Sequence, residues 1–257
     1  MIVARTVADV RAALADRRSG TIGLVPTMGS LHAGHLALLE TARLACDTVV
    51  MSLFVNPAQF GDPDDLDGYP REEAHDLERA RDAGVDVAFA PSTAELYPPG
   101  YQTWVEVTEL GAMLEGERRG GHFRGVATVC LKLFTIVRPD VAYFGQKDAQ
   151  QVEVLRRMIS DLHLELELCV VPTVRDADGL ALSSRNVRLT PEQRARALAL
   201  PRALATGDPD TARTILEDAG LDVDYVALAP FAPPVLAAAV RVGGTRLIDN
   251  VPLEEEL

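Results

Sequence analysis

The chain reads as an α/β protein, a Rossmann-like, doubly wound parallel sheet with a second, smaller α+β domain. Three observations predict this. Short apolar runs alternate with helix-length amphipathic segments through the first two thirds of the chain. The polar segments 26–35, 56–60, 145–151 and 172–185 follow such runs, where open parallel sheets bind ligands. Beyond about residue 173 the pattern changes to helices followed by closely spaced strand-like runs. Residues 1–173 are therefore expected to form the sheet domain and 174–257 a small α+β lid domain.

The elements follow in order. "TVADVRAALADRRSG" predicts a helix, with Thr6 as cap, Val7, Val10 and Leu14 on one face and Gly20 at its end. "TIGLV" (21–25) predicts a buried strand, "LHAGHLALLETARLAC" a helix, and "TVVMSLFV" (48–55) a second strand. "NPAQFGDPDDLDGYP" carries the Pro, Gly, Asn and Asp of a loop. "REEAHDLERARDAG" is amphipathic and closes on Gly84, and "VDVAFAP" is a third strand. "YQTWVEV" predicts a fourth strand at an edge, and "ERRGGHFRG" a basic, glycine-rich loop. "VATVCLKLFTIVRP" and "DAQQVEVLRRMISDL" predict helices, "DVAYFG" and "LELELCVVP" strands. After the polar loop "TVRDADGLALSSRN" come helices in "TPEQRARALALPRAL" and "DPDTARTILEDAG". "VDYVALA", "LAAAVRV" and "TRLID" then read as antiparallel strands.

Composition narrows the function. A net charge of −13 disfavours nonspecific nucleic-acid binding, which depends on phosphate neutralisation. It leaves room for a small anionic ligand, which responds to the local field. The acidic residues concentrate between Asp62 and Asp76 and in the tail "EEEL", away from Lys132, Arg138, Lys147, Arg175 and Arg185. Cys46, Cys130 and Cys169 are widely spaced and each lies in an apolar context, as expected of buried free thiols in a reducing compartment. "MIVARTVADVRAAL" lacks the apolar core of a signal peptide, and no apolar run approaches the ~20 residues of a spanning helix. A soluble cytoplasmic protein is expected.

"PTMGSLHAGH" (26–35) admits three readings: a metal site, a phosphate cradle or a tight turn. His32 and His35 are spaced to share a face of the first helical turn. Neither an H-E-x-x-H pattern nor a cysteine cluster accompanies them, which weakens zinc. Gly29 and Gly34 allow close backbone approach, and a helix N-terminus attracts anions. Asn56 and Gln59 follow the second strand; Asn-Pro is also a plain turn signal. In "FGQKDAQQ" Asp148 is explicable as a cap, but Lys147 opposes the helix dipole unless an anion binds there. "LALSSRN" places Ser183 and Ser184 beside Arg185, a phosphate-suited trio or a turn. Walker A, G-x-S-x-G and G-x-G-x-x-G patterns are absent.

Taken in order, "PTMGSLHAGH", "FVNPAQF", "YPR", "GHFRGVATV", "VAYFGQKDAQQ", "LSSRN" and "TRLIDN" resemble the pantothenate synthetase (pantoate–β-alanine ligase) family, from about residue 4 to 250. The first motif alone resembles the wider H-x-G-H nucleotidyltransferases. The resemblance implies a two-step reaction. ATP and (R)-pantoate give pantoyl adenylate and pyrophosphate; β-alanine then gives pantothenate and AMP. It implies Mg²⁺ and a homodimer through the large domain. It assigns Pro26, Thr27, Met28, Gly29, Ser30, Leu31, His32, Ala33, Gly34 and His35 to ATP, His35 holding the catalytic position and His32 lying on the phosphates. Gly145, Gln146, Lys147 and Asp148 also meet the nucleotide, and Val174 and Leu182 its adenosine part. Ser183, Ser184 and Arg185 close over the triphosphate as a moving loop. Gln59 and Gln151 hold pantoate, with Asn56 beside them and Gln59 near β-alanine; Arg119 matches a family arginine. Ala149 stands where the family usually has tyrosine, Leu182 where methionine is common, and Gly120 where proline is common. His75 makes its stretch less acidic than usual, which weakens Asp76 as a magnesium ligand. The helices between 191 and 220 are shorter than usual. Two alternatives remain: another nucleotidyltransferase of the same fold, which leaves Gln59 and Gln151 unexplained, and a nonenzymatic nucleotide-binding protein.

Overall fold

The computed structural model describes residues 1–253; the acidic tail at 254–257 lies outside the described residues. The chain divides into two compact units. The first comprises Met1–Leu31, His35–Phe144 and Val154–Val171; the second comprises His32–Gly34, Gly145–Glu153 and the chain from Pro172 onward. The second unit thus takes in two short segments that precede residue 174.

The first unit is built on a six-stranded parallel sheet, β1 (Ile2–Ala4), β2 (Ile22–Thr27), β3 (Thr48–Leu53), β4 (Val87–Phe89), β5 (Val141–Gly145) and β6 (Glu167–Val171), in the order β1-β4-β3-β2-β5-β6. β2 and β3 are buried along nearly their whole length, as strands covered on both faces must be. The order reverses direction between β2 and β5, the strands paired at Gly23–Val141 and Leu24–Ala142. Ligands of such sheets collect outside the carboxyl ends of the strands at this reversal.

The connecting helices are α1 (Val7–Leu14), α2 (Ala33–Ala45), α3 (Pro63–Asp67), α4 (Glu73–Asp82), α5 (Thr93–Leu96), α6 (Glu115–Arg118), α7 (His122–Val137) and α8 (Ala149–Asp161). Thr6 caps α1 as its sequence predicts, in a reciprocal capping box with Asp9. Leu38, Leu39 and Ala42 of α2 pack with Val25, Val49 and Met51 in the core under the sheet.

Three expectations need correction. Ile2–Ala4 forms an edge strand, parallel to Val87–Phe89, which three residues give too little pattern to reveal. "YQTWVEV" is not a strand: Val105 donates its N–H to Thr128 Oγ1 of α7 at 3.0 Å. Trp104 instead stacks on Tyr97 and Tyr101 meets Tyr97 edge-on, and Lys132 and Arg124 lie over Tyr101 and Trp104 at 4.5 and 4.7 Å. "ERRGGHFRG" is only partly a loop, because α6 ends inside it and α7 begins at His122.

In the second unit, β7 (Asp222–Ala229), β8 (Val235–Val242) and β9 (Thr245–Pro252) form an antiparallel sheet, as expected. It is accompanied by α9 (Pro191–Ala197), α10 (Ala199–Leu204) and α11 (Pro209–Asp218). Leu200, Leu204, Leu216, Leu236, Val240 and Leu247 form its core.

Candidate active site

The first unit holds two constructions. In the first, β2 leads into a turn with two consecutive positive φ angles, 84° at Gly29 and 52° at Ser30. A non-glycine residue there is strained unless its surroundings hold it. Asp76 of α4 does so. Its carboxylate accepts Ser30 N–H at 2.9 Å and Leu31 N–H at 2.8 Å, and the side chain is buried. One turn along α4, Arg79 donates to the Leu31 carbonyl. Gly29 is required for a second reason: a Cβ there would lie 2.7 Å from Asp76 Oδ2. Asp76, weighed in the sequence as a magnesium ligand, therefore has both oxygens engaged by backbone and shapes the turn.

The second construction carries Gln59. Asn56 caps a 3₁₀ turn, Pro57–Gln59, its Oδ1 accepting Ala58 N–H at 3.3 Å and the Tyr97 hydroxyl at 2.9 Å. Its amide donates to Gln59 Oε1 at 3.0 Å and to the Gly125 carbonyl at 3.1 Å. Asn56 is 1% exposed, so it cannot present itself to a substrate as the sequence suggests; it orients Gln59 instead. Because Gln59 Oε1 is occupied, its amide N–H groups are what it offers, suited to a carboxylate or hydroxyl oxygen.

Two residues behind this turn escape sequence reasoning. Gly125 lets α7 approach so closely that a Cβ would meet the Ala58 carbonyl oxygen at 2.2 Å. His122 is buried, with Nδ1 2.9 Å from the Gln59 carbonyl and Nε2 3.0 Å from Arg119. A carbonyl only accepts and a guanidinium only donates, so in these two bonds Nδ1 is the donor and Nε2 the acceptor. Both residues lie in "GHFRG" (121–125), while sequence draws attention only to Arg119 just before it.

In the second unit, His32 precedes α2 rather than sharing its first turn with His35, which the sequence spacing does not foresee. His32 Nδ1 accepts Gly34 N–H at 3.1 Å, which puts the imidazole proton on Nε2. His35, in the first turn of α2, belongs to the first unit. Gly34 lies against the His32 ring, where a Cβ would meet it at 2.9 Å.

Gln146, Lys147 and Asp148 form a 3₁₀ turn leading into α8, whose first turn carries Gln151. Lys147 Nζ lies 3.5 Å from Asp148 Oδ1, a loose pairing that leaves the ammonium able to meet an anion. Ala149 is buried.

The segment after β6 also belongs to the second unit. Leu182 N–H bonds the Val174 carbonyl at 3.0 Å, which pairs the two residues assigned to adenosine. Ser183 Oγ accepts Arg185 N–H at 3.2 Å, and Asn186 Nδ2 donates to the Ala181 carbonyl at 3.0 Å. Thr173 Oγ1 and Asn186 Oδ1 are buried without a hydrogen-bond partner. Neither residue is singled out by the sequence.

Among the described residues no three His, Cys, Asp or Glu side chains gather as a metal ligand set. Among those residues the chain offers no dedicated cage for the Mg²⁺ that the resemblance implies. No helix among the described residues is long and apolar enough to cross a membrane.

Residues 2–252 match the family Pantoate-beta-alanine ligase. The chain is 53% identical to a pantothenate synthetase of Heliobacterium modesticaldum, over 93% of each chain. It is 50% identical to that of Moorella thermoacetica, over 99% of each. The fold superposes on the Thermus thermophilus pantothenate synthetase crystal structure with a TM-score of 0.91 and 46% identity, covering 98% of this chain and 99% of that one. It superposes on a Francisella tularensis pantoate-beta-alanine ligase complexed with beta-gamma ATP and beta-alanine with a TM-score of 0.89 and 34% identity, covering 98% and 97%.

Proposed function

The chain belongs to the pantoate–β-alanine ligase family, and on that premise we propose that it condenses (R)-pantoate with β-alanine through a pantoyl-adenylate intermediate. It is an enzyme of the ligase class that uses ATP. The observation that carries the mechanism is the turn after β2, held by Asp76 at the point where the strand order reverses and followed by His32 and His35.

In the first step a pantoate carboxylate oxygen attacks the α-phosphorus of ATP. The phosphorus–oxygen bond to pyrophosphate breaks, and no protein nucleophile is needed. The protein positions the reactants and neutralises the leaving charge. His35, His32 and Lys147 supply positive or N–H character for the phosphates, and Ser183, Ser184 and Arg185 add hydroxyl and guanidinium donors. Gln59 and Gln151 bind pantoate through neutral amides, which recognise its oxygens without competing as nucleophiles. In the second step the neutral amine of β-alanine attacks the acyl carbon, the acyl–oxygen bond to AMP breaks, and the amine loses a proton. Mg²⁺ is assigned to the triphosphate, its usual station, rather than to a side chain. A cytoplasmic location fits the three free thiols. A homodimer follows the family resemblance.

The intermediate is tested by isotope exchange. Labelled pyrophosphate should enter ATP only when pantoate is present and with β-alanine omitted. Exchange indifferent to pantoate would refute the adenylate assignment.

A further inference from the structure

The motif "TRLIDN" has no role in the chemistry above, yet it ends in two buried polar residues, Asp249 and Asn250, 2% and 3% exposed. They are neighbours on β9, paired with Ala238 and Ala237 of β8. A strand gains nothing from buried polar side chains unless they are satisfied, and both are. Asn250 Nδ2 donates to the carbonyls of Gln146 and Lys147 at 3.0 and 2.9 Å, and its Oδ1 accepts Gln146 Nε2 at 3.0 Å. Asp249 grips Arg175 with both oxygens, at 2.6 and 3.0 Å, and its Oδ1 also accepts the Asn250 N–H at 2.8 Å. Arg175 in turn donates to the Gly179 carbonyl at 3.2 Å, at the base of the segment that ends in Ser183–Arg185.

From this we propose that Asp249 and Asn250 form a positioning pair that sets two phosphate-binding segments from one strand. Asn250 fixes the backbone from which Lys147 projects, and Asp249 fixes the base of the 173–185 segment through Arg175. The bond from the Asn250 N–H to Asp249 ties the two settings together. The proposal rests on the ligase reading for what the segments bind, while the hydrogen-bond network stands apart from it.

The test uses the full chain and three variants. Asn250→Ala removes the clamp. Asn250→Asp keeps its size but turns a carboxylate toward two carbonyl oxygens. Val240→Ala, in the core of the same small sheet, lowers stability while leaving the hydrogen bonds of Asp249 and Asn250 in place. Two readouts are needed: pantoate-dependent pyrophosphate exchange against ATP concentration, and the rise in thermal midpoint caused by a nonhydrolysable ATP analogue. Asn250→Ala should raise the KM for ATP roughly 10-fold, as expected for losing one or two net hydrogen bonds of preorganisation. Asn250→Asp should be worse, and both should lose most of the analogue-induced rise. Val240→Ala should lower the midpoint but keep the wild-type KM and rise. Wild-type values in both Asn250 variants, or equal effects in Val240→Ala, would overturn the proposal. If the wild-type chain shows no exchange, the ligase reading fails, and the analogue-induced rise still decides the positioning pair.

Discussion

The carboxylate of Asp76 accepts the backbone N–H of Ser30 at 2.9 Å, and Ser30 sits at a φ of 52°. A carboxylate on one helix thereby holds a strained residue of the turn assigned to ATP. Asp76→Asn replaces one acceptor with a donor that faces Ser30 or Leu31 N–H. Leaving a buried group unpaired costs about 1–3 kcal/mol, and a misplaced turn should lower kcat/KM for ATP by about 10–100-fold. Adding Ser30→Gly, which adopts positive φ without strain, should recover part of that loss. Steady-state kinetics of the single and double variants checks this. No recovery would mean that the Ser30 backbone is not what Asp76 secures.

Gly125 makes the corresponding prediction for pantoate. A methyl group at 125 would collide with the Ala58 carbonyl and push away the turn that bears Gln59. Gly125→Ala should raise the KM for pantoate at least ~10-fold and destabilise the fold by about 1–3 kcal/mol, the usual range for overpacking. The KM for ATP should change little. Asn56→Ala should act in the same direction through Gln59, because Asn56 itself is buried. Initial rates with each substrate varied in turn separate the two effects.

Cys130 gives a pH dependence. Burial pushes its thiol up from 9.0 to about 12. At pH 8 only about one molecule in 10⁴ then carries the thiolate, so Cys130 should resist alkylation until the protein unfolds. Burial also raises the Tyr97 hydroxyl. Groups with raised folded values bind their protons more tightly in the native state. The stability they contribute is complete below pH 9 and is lost as pH rises from about 9 toward 12. Denaturation midpoints measured across that range should fall; a flat profile would contradict the burial of these groups.

These predictions divide between what the sequence shows and what it hides. Local pattern is legible: the capping box at Thr6, the apolar runs of β2 and β3, and the antiparallel set at the chain's end all appear where expected. The loops that follow the strands are legible too, because a parallel sheet dictates where polar residues gather. Asp76 is not. On an acidic amphipathic helix it resembles any solvated carboxylate, and only the long-range pairing to Ser30 and Leu31 buries it. Asn56 misleads for the same reason, since its position suggests a ligand contact and its four hydrogen bonds point inward. Gly125, His122 and Asn250 act through backbone carbonyls distant in sequence, which no local pattern announces.

His35 is the side chain to which the mechanism gives the catalytic position. His35→Ala should reduce the rate of adenylation by about 10²–10⁴-fold while leaving the unfolding midpoint near that of the wild type. A variant with nearly full activity would remove His35 from the reaction.

The most direct measurement is the product analysis of the purified chain with ATP, Mg²⁺, (R)-pantoate and β-alanine. The ligase mechanism predicts AMP and pantothenate in equal amounts, with neither formed when pantoate is left out. Release of ADP, or AMP formation that does not depend on pantoate, would contradict it.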